Sequence, residues 1–176
     1  LVRLHPNHFT NVKRWANERE QIRELVARSP HVYLVEPVPL GGELGYYSGE
    51  DMPEKSSMMA YSDVFLTVYS TMVVEASIHE APIVSAIIDS PTGWAGEYTL
   101  PLSQIGNWPT HSRFRRSGAC REASSEEELC QAINAYLEHP GRDRQAQRAF
   151  VEQECTYTDG KAGRRTGAYL LSFARG

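Results

Sequence analysis

Two almost uninterrupted apolar runs, DVFLTV (63–68) and PIVSAII (82–88), constrain this chain more than any other feature. Runs without polar alternation belong to strands covered on both faces, as in a parallel sheet. Between them YSTMVVEASIHEA holds one short helix, expected from Ser70 to His79. The unit therefore reads strand, helix, parallel strand.

The rest of the chain extends this alternation. Val2 to Leu4 reads as a short strand halted by His5-Pro6-Asn7. Val12, Trp15, Ile22, Leu25 and Val26 recur at helical spacing over residues 11–28, with Thr10 or Asn11 as the cap. HVYLVEPV (31–38) is a strand ended by prolines, and PLGGELGYYSGEDMP (39–53) a glycine-rich loop. A short helix is expected over 55–61. Residues 89–118 show no clear period and read as a long loop containing Trp94 and Trp108. ACREA (119–123) is an expected edge strand. In the helix that follows, Ser125 and Glu128 form a capping box. Its buried face is Leu129, Ala132, Ile133, Tyr136 and Leu137. Further helices are expected over 142–154 and from Asp159-Gly160 onward, the last with Ala162, Thr166, Tyr169, Leu170 and Phe173 on one side. Repeats and low-complexity segments are absent from the sequence.

Length and charge narrow the function. The 176 residues suffice for one domain with a real core, and a net charge of -4 offers no strong field to nucleic acid. Lys13-Arg14, Arg113 to Arg116 and Arg164-Arg165 are scattered among polar residues, as on a solvated surface. No apolar run approaches the ~20 residues that span a bilayer. Cys120, Cys130 and Cys155 are odd in number and lack any CxxC, the pattern of reduced thiols in a cytoplasmic protein. The chain opens LVRLHPNHF, already strand-like and without an initiator Met, and so reads as part of a longer protein.

In parallel α/β sheets, ligands sit beyond the carboxyl ends of the strands, where loops lead into helix N-termini. Three features are expected there: His5, Glu36-Pro37 with the glycine loop, and Tyr69-Ser70-Thr71. Ser70 and Thr71 head a helix, where unpaired N–H groups and the dipole favour an anion. The same hydroxyls are also ordinary helix caps. Glu75 lies one turn beyond Thr71 on the same helix face and is not part of a capping box. A carboxylate there suits neutral hydroxyls such as a ribose diol, or pairs with an arginine. His5 is suited to hydrogen-bonding a phosphate or moving a proton. A zinc site at His5 and His8 lacks a third ligand nearby. GxSxG, P-loop, GxGxxG and HExxH motifs do not occur. TDGKAGRR (158–165) places Asp159 at a helix cap.

VRLHP, YSDVFLTVYSTMVVEA with APIV, and the terminal DGKA, in that order, resemble the C-terminal, donor-binding half of GT-B glycosyltransferases. The likeness is to bacterial capsule, lipopolysaccharide and teichoic-acid enzymes, including CDP-glycerol glycerophosphotransferases and HP-motif sialyltransferases. The resemblance implies a Rossmann-like parallel sheet flanked by helices, here as a single domain over 1–176. It implies that His5 contacts the donor's phosphate region and assists catalysis. Tyr69, Ser70, Thr71 and Glu75 would bind the donor, with phosphate at Ser70 and Thr71 and ribose at Glu75. The implied activity is a metal-independent transfer of a sugar or polyol phosphate from a nucleotide donor, with no cofactor, in surface polysaccharide synthesis. The acceptor, a glycan or lipid-linked molecule, and the catalytic base would belong to a missing N-terminal half. No transmembrane segment is expected, and peripheral membrane association is compatible with this reading. A strand–helix unit that normally precedes the HP strand is missing, so this chain alone is expected to bind weakly and not turn over. The alternatives are a UDP-sugar 2-epimerase-like enzyme and a non-catalytic Rossmann-like interaction module.

Overall fold

A computed structural model describes residues 1–9, 13–36, 51–89 and 101–174. It is an α/β structure whose strands all pair in parallel. The chain divides into two compact units, Leu1–Ser57 and Met58–Gly176. The single expected sheet is present as two ladders, a two-stranded one in the first unit and a three-stranded one in the second.

In the first unit β1 (Val2–Arg3) pairs with β2 (Leu34–Val35), and α1 (Lys13–Ala27) connects them. Backbone bonds from Val2 N to Tyr33 O (2.8 Å) and from Leu4 N to Val35 O (3.1 Å) continue the ladder past both ends, and Leu4 is buried. β2 is shorter than its apolar run, and Leu25, expected on the buried face of α1, is exposed. The Thr10 or Asn11 cap and residues 37–50, which hold most of the glycine-rich loop, lie outside the described residues. Residues 51–53, assigned above to that loop, open α2 (Asp51–Ala60) instead. Asp51 and Glu54 in its first turn favour the positive helix end, and Asp51 is ion-paired with Arg3 of β1.

The second unit runs β3 (Phe65–Thr67), α3 (Met72–Ile78), β4 (Ile83–Ala86), α4 (Leu102–Ile105), α5 (Pro109–Ser117), β5 (Arg121–Ala123), α6 (Glu126–Glu138), α7 (Arg144–Cys155) and α8 (Ala162–Ala174). Strand order is β3-β4-β5. β4 is central and covered on both faces, as its sequence requires, and β5 is an edge strand. β3 is not covered on both faces. Phe65 packs on the core, but Leu66, on the other side of the pleat, is 48% exposed. On that side α6 packs over β4 and β5, and Val64 just ahead of β3 joins the cluster beneath it, while Leu66 does not.

One core cluster lies under α3, α5 and α7 and joins Val73, Ala76, Ile83, Phe114, Ala119 and Phe150. On the opposite face Val84, Ala123 and Tyr136 form a smaller one. The Tyr136 hydroxyl donates to Asp143 (2.6 Å), whose carboxylate also receives Arg121 of β5 at 3.0 and 3.2 Å. Leu137, expected beside Tyr136 in the core, is exposed. The α6 cap forms with one change of partner. Ser125 accepts from Glu128 N (3.2 Å), while the Glu128 carboxylate takes the N–H and hydroxyl of Ser124, not the N–H of Ser125.

The long loop expected over 89–118 is largely helical where it is described. Asp89 accepts from Leu102 N (2.5 Å) and from the Ser103 hydroxyl (3.0 Å), which fastens the start of α4. Pro109 occupies the first turn of α5, and Gly118 ends it at φ 70°. α4 is a single turn and α5 buries only Phe114, so neither carries a repeating apolar face. Trp94 lies outside the described residues.

Candidate functional site

The carboxyl end of β3 leads through Val68-Tyr69-Ser70-Thr71 into α3. Tyr69 makes this turn at φ 23°, a left-handed conformation uncommon for a residue with a side chain. Its N–H donates to the Ser85 hydroxyl of neighbouring β4 (3.3 Å), which ties the turn to the central strand. The strain sits where ligands bind in parallel α/β sheets.

Ser70 Oγ accepts from Met72 N (3.2 Å), so Ser70 does act as a cap; Thr71 makes no side-chain cap bond and is exposed. Val73 N donates to Ser70 O and Val74 N to Thr71 O, each at 3.0 Å. The first turn therefore satisfies much of its own donor set by tight i to i+3 bonds. An anion at this turn would be met chiefly by the two hydroxyls. A hydroxyl that accepts through a lone pair still has a proton to donate. Glu75 follows in α3, half-buried and one turn from Thr71.

Tyr69 is turned inward. Its ring is buried, and its hydroxyl has no hydrogen-bond partner among the described residues. A Cβ placed on Gly106 would come within 2.2 Å of that oxygen, so only glycine fits against it. Tyr69 thus shapes the turn through its backbone, and its hydroxyl is sealed under α4. Burial, then the negative charge of Glu122, raise the phenol's pKa above its ordinary value. Tyr69→Phe is expected to leave the thermal midpoint unchanged or slightly higher, because it removes a buried group that nothing satisfies. Thermal unfolding followed by circular dichroism checks this, and a clear drop would show that the hydroxyl has a partner.

His111 and Trp108 were not foreseen as neighbours of this turn. His111 packs between Tyr69 (ring centroids 5.4 Å) and Trp108 (6.0 Å, stacked), with Phe114 at 6.1 Å. The signal was present in Trp108-Pro109, a helix start placing His111 in the first turn. Burial holds the His111 imidazole below its usual pKa. The unfolded chain then binds a proton near pH 6.5, before the folded chain does. Stability is therefore complete above that pH and falls as pH drops through it. Thermal midpoints measured from pH 7.5 to 5.5 should decline, and His111→Gln should reduce the decline, leaving the share of His5, whose pKa is lowered in the same direction. The carboxylates with lowered pKa values titrate below this window.

His5 belongs to the first unit, whereas Tyr69, Ser70, Thr71 and Glu75 belong to the second. His5 closes β1, donating its N–H to His8 Nδ1 (3.1 Å) and accepting from His8 N (2.9 Å) at its carbonyl. Partial desolvation, then the neighbouring His8, lower the pKa of its imidazole. His8 in turn faces Glu18 at 3.6 Å. Glu36 is ion-paired with Arg23 of α1 (2.6 Å). Asp159 accepts from Lys161 N (3.1 Å) and binds Arg165 at 2.9 and 2.5 Å, holding the turn before α8. Among the described residues no three His, Cys, Asp or Glu side chains come together as a metal-binding group.

A cleft of about 210 Å³ opens at the opposite, amino-terminal ends of β3 and β4, lined by Asp63, His79, Glu80, Pro82 and Arg144 among others. Glu80 there already pairs with Arg148 (2.6 Å) and Arg144 (3.7 Å), so its charge is answered within the protein. The β3–α3 turn carries the better case on topology. No family model, curated protein or solved structure matches the chain.

Proposed function

We propose that this chain is the donor-binding part of a metal-independent transferase that takes a nucleotide-activated sugar or polyol phosphate for surface polysaccharide synthesis. The reading rests on one observation above others. A strained turn at the carboxyl end of a parallel strand, held by Tyr69 N to Ser85 Oγ, presents Ser70 and Thr71 with Glu75 one turn on. The order of the VRLHP, YST and DGKA motifs supports it.

In this reading the Ser70 and Thr71 hydroxyls donate to phosphate oxygens, and the start of α3 adds the favourable end of its dipole. Both interactions strengthen as negative charge gathers on the departing phosphate. Glu75 accepts from the ribose hydroxyls. Its place one turn along keeps its charge off the phosphate.

Titration calorimetry of the full-length protein with CDP, UDP, GDP and CMP tests the assignment. At least one nucleotide should bind, and the Ser70→Ala, Thr71→Ala double variant should weaken it about tenfold or more, since hydrogen bonds to charged groups are worth ~1.5–3 kcal/mol. Unchanged affinity in the double variant would remove the phosphate from this turn.

A further inference from the structure

The α8 helix buries none of its residues, although its sequence is amphipathic. Tyr169, Leu170, Leu171 and Phe173 are 65, 61, 57 and 67% exposed. Tyr169, Leu170 and Phe173 follow i, i+1, i+4 spacing and make one apolar stripe with Thr166. The Tyr169 and Phe173 rings are already packed edge to face at 4.8 Å. A stripe of this kind is seldom left to water without a purpose.

Charge says what covers it. From residue 161 to 176 the sequence has Lys161, Arg164, Arg165 and Arg175 and no acid. The rest of the chain is left with 14 of the 18 cations and all 22 acids. A basic segment is thus set apart in an acidic protein. At 100° per residue Arg164 falls opposite the apolar stripe, while Arg165 lies at its edge, one turn before Tyr169. Arg165 also lies over the Tyr157 ring at 4.0 Å, and Tyr157 is itself exposed. Asp159 pairs with Arg165, while Arg164 and Lys161 make no ion pair among the described residues. An apolar stripe of Tyr, Leu and Phe flanked by Arg165 and backed by Arg164 is what an anionic lipid surface receives. At 13 residues the helix is about 20 Å long, and no described helix is long and apolar enough to cross a membrane.

We propose that α8 is a membrane-surface helix that lays Tyr169, Leu170 and Phe173 into an anionic leaflet while Lys161, Arg164 and Arg165 meet the headgroups. The inference does not depend on the donor site.

Vesicle co-sedimentation tests it, using the chain with vesicles of phosphatidylcholine alone or with 30% phosphatidylglycerol (about a third anionic lipid, enough to set up a negative surface potential). The chain should pellet with the anionic vesicles, pellet little with the neutral ones, and release as salt rises. Each cation near such a surface is worth about fivefold in partitioning. Arg164→Glu with Arg165→Glu should therefore reduce binding about 25-fold or more. Leu170→Ser with Phe173→Ser should abolish binding while leaving the thermal midpoint in place, because both side chains are exposed. Equal partitioning to neutral and anionic vesicles would overturn the proposal, as would binding that both double variants retain. Absence of vesicle binding with self-association that Leu170→Ser and Phe173→Ser abolish would also overturn it, and would assign the stripe to a second copy of the chain.

Discussion

Phe150→Ala should destabilise the second unit by about 3–5 kcal/mol, the range for losing a large side chain from a close-packed core. Phe150 is 2% exposed and meets Phe114 edge to face at 5.7 Å. It comes from α7, while Phe114 comes from α5 and Val73 and Ala76 from α3, so one ring joins three helices over Ile83 of the central strand. Collapse of the cavity would require these helices to move together, which keeps the cost near the upper part of the range. In a chain of this length each kcal/mol is worth roughly 2–4 °C, so the thermal midpoint should fall by about 10 °C. A fall of a degree or two would mean that α7 is not seated on the core as described.

Gln147→Met should cost about 2–4 kcal/mol without leaving any cavity. The Gln147 amide is buried and donates to Ala81 O (2.6 Å) and Ala119 O (3.3 Å). These carbonyls stand just before β4 and β5, so a single side chain of α7 fastens the entry to both strands. Methionine fills a similar volume but cannot donate, leaving two buried acceptors stranded at about 1–3 kcal/mol each. Urea unfolding should show a lower midpoint at unchanged slope.

The alternation of strands and helices was legible because β4 and the helices near it are set by local pattern. Ile83 and Val84 are apolar on consecutive positions and are buried on both sides. Ser125 announced α6 by its cap chemistry. The exposure of Leu66 in β3 was not legible, since an apolar run does not say which of its positions a helix will cover, a tertiary event. Nor was the inward turn of Tyr69, which depends on Gly106 some 37 positions later in the chain. α4 and α5 were missed because each is short and held by contacts such as Asp89 to Leu102 N that carry no periodic signal. Of the candidate site, the composition of the turn was readable from YST and Glu75. The internal bonding of its first amides was not, because Ser and Thr ahead of a helix serve caps and anions alike.

The central claim is that a nucleotide's phosphate rests on the turn between β3 and α3. A crystal structure of the chain grown with the best-binding of CMP, CDP, UDP or GDP tests it most directly. The account predicts phosphate oxygens within hydrogen-bond reach of the Ser70 and Thr71 hydroxyls and the ribose against Glu75. A nucleotide bound in the cleft beside Asp63, His79 and Arg144, with the β3–α3 turn bare, would contradict it.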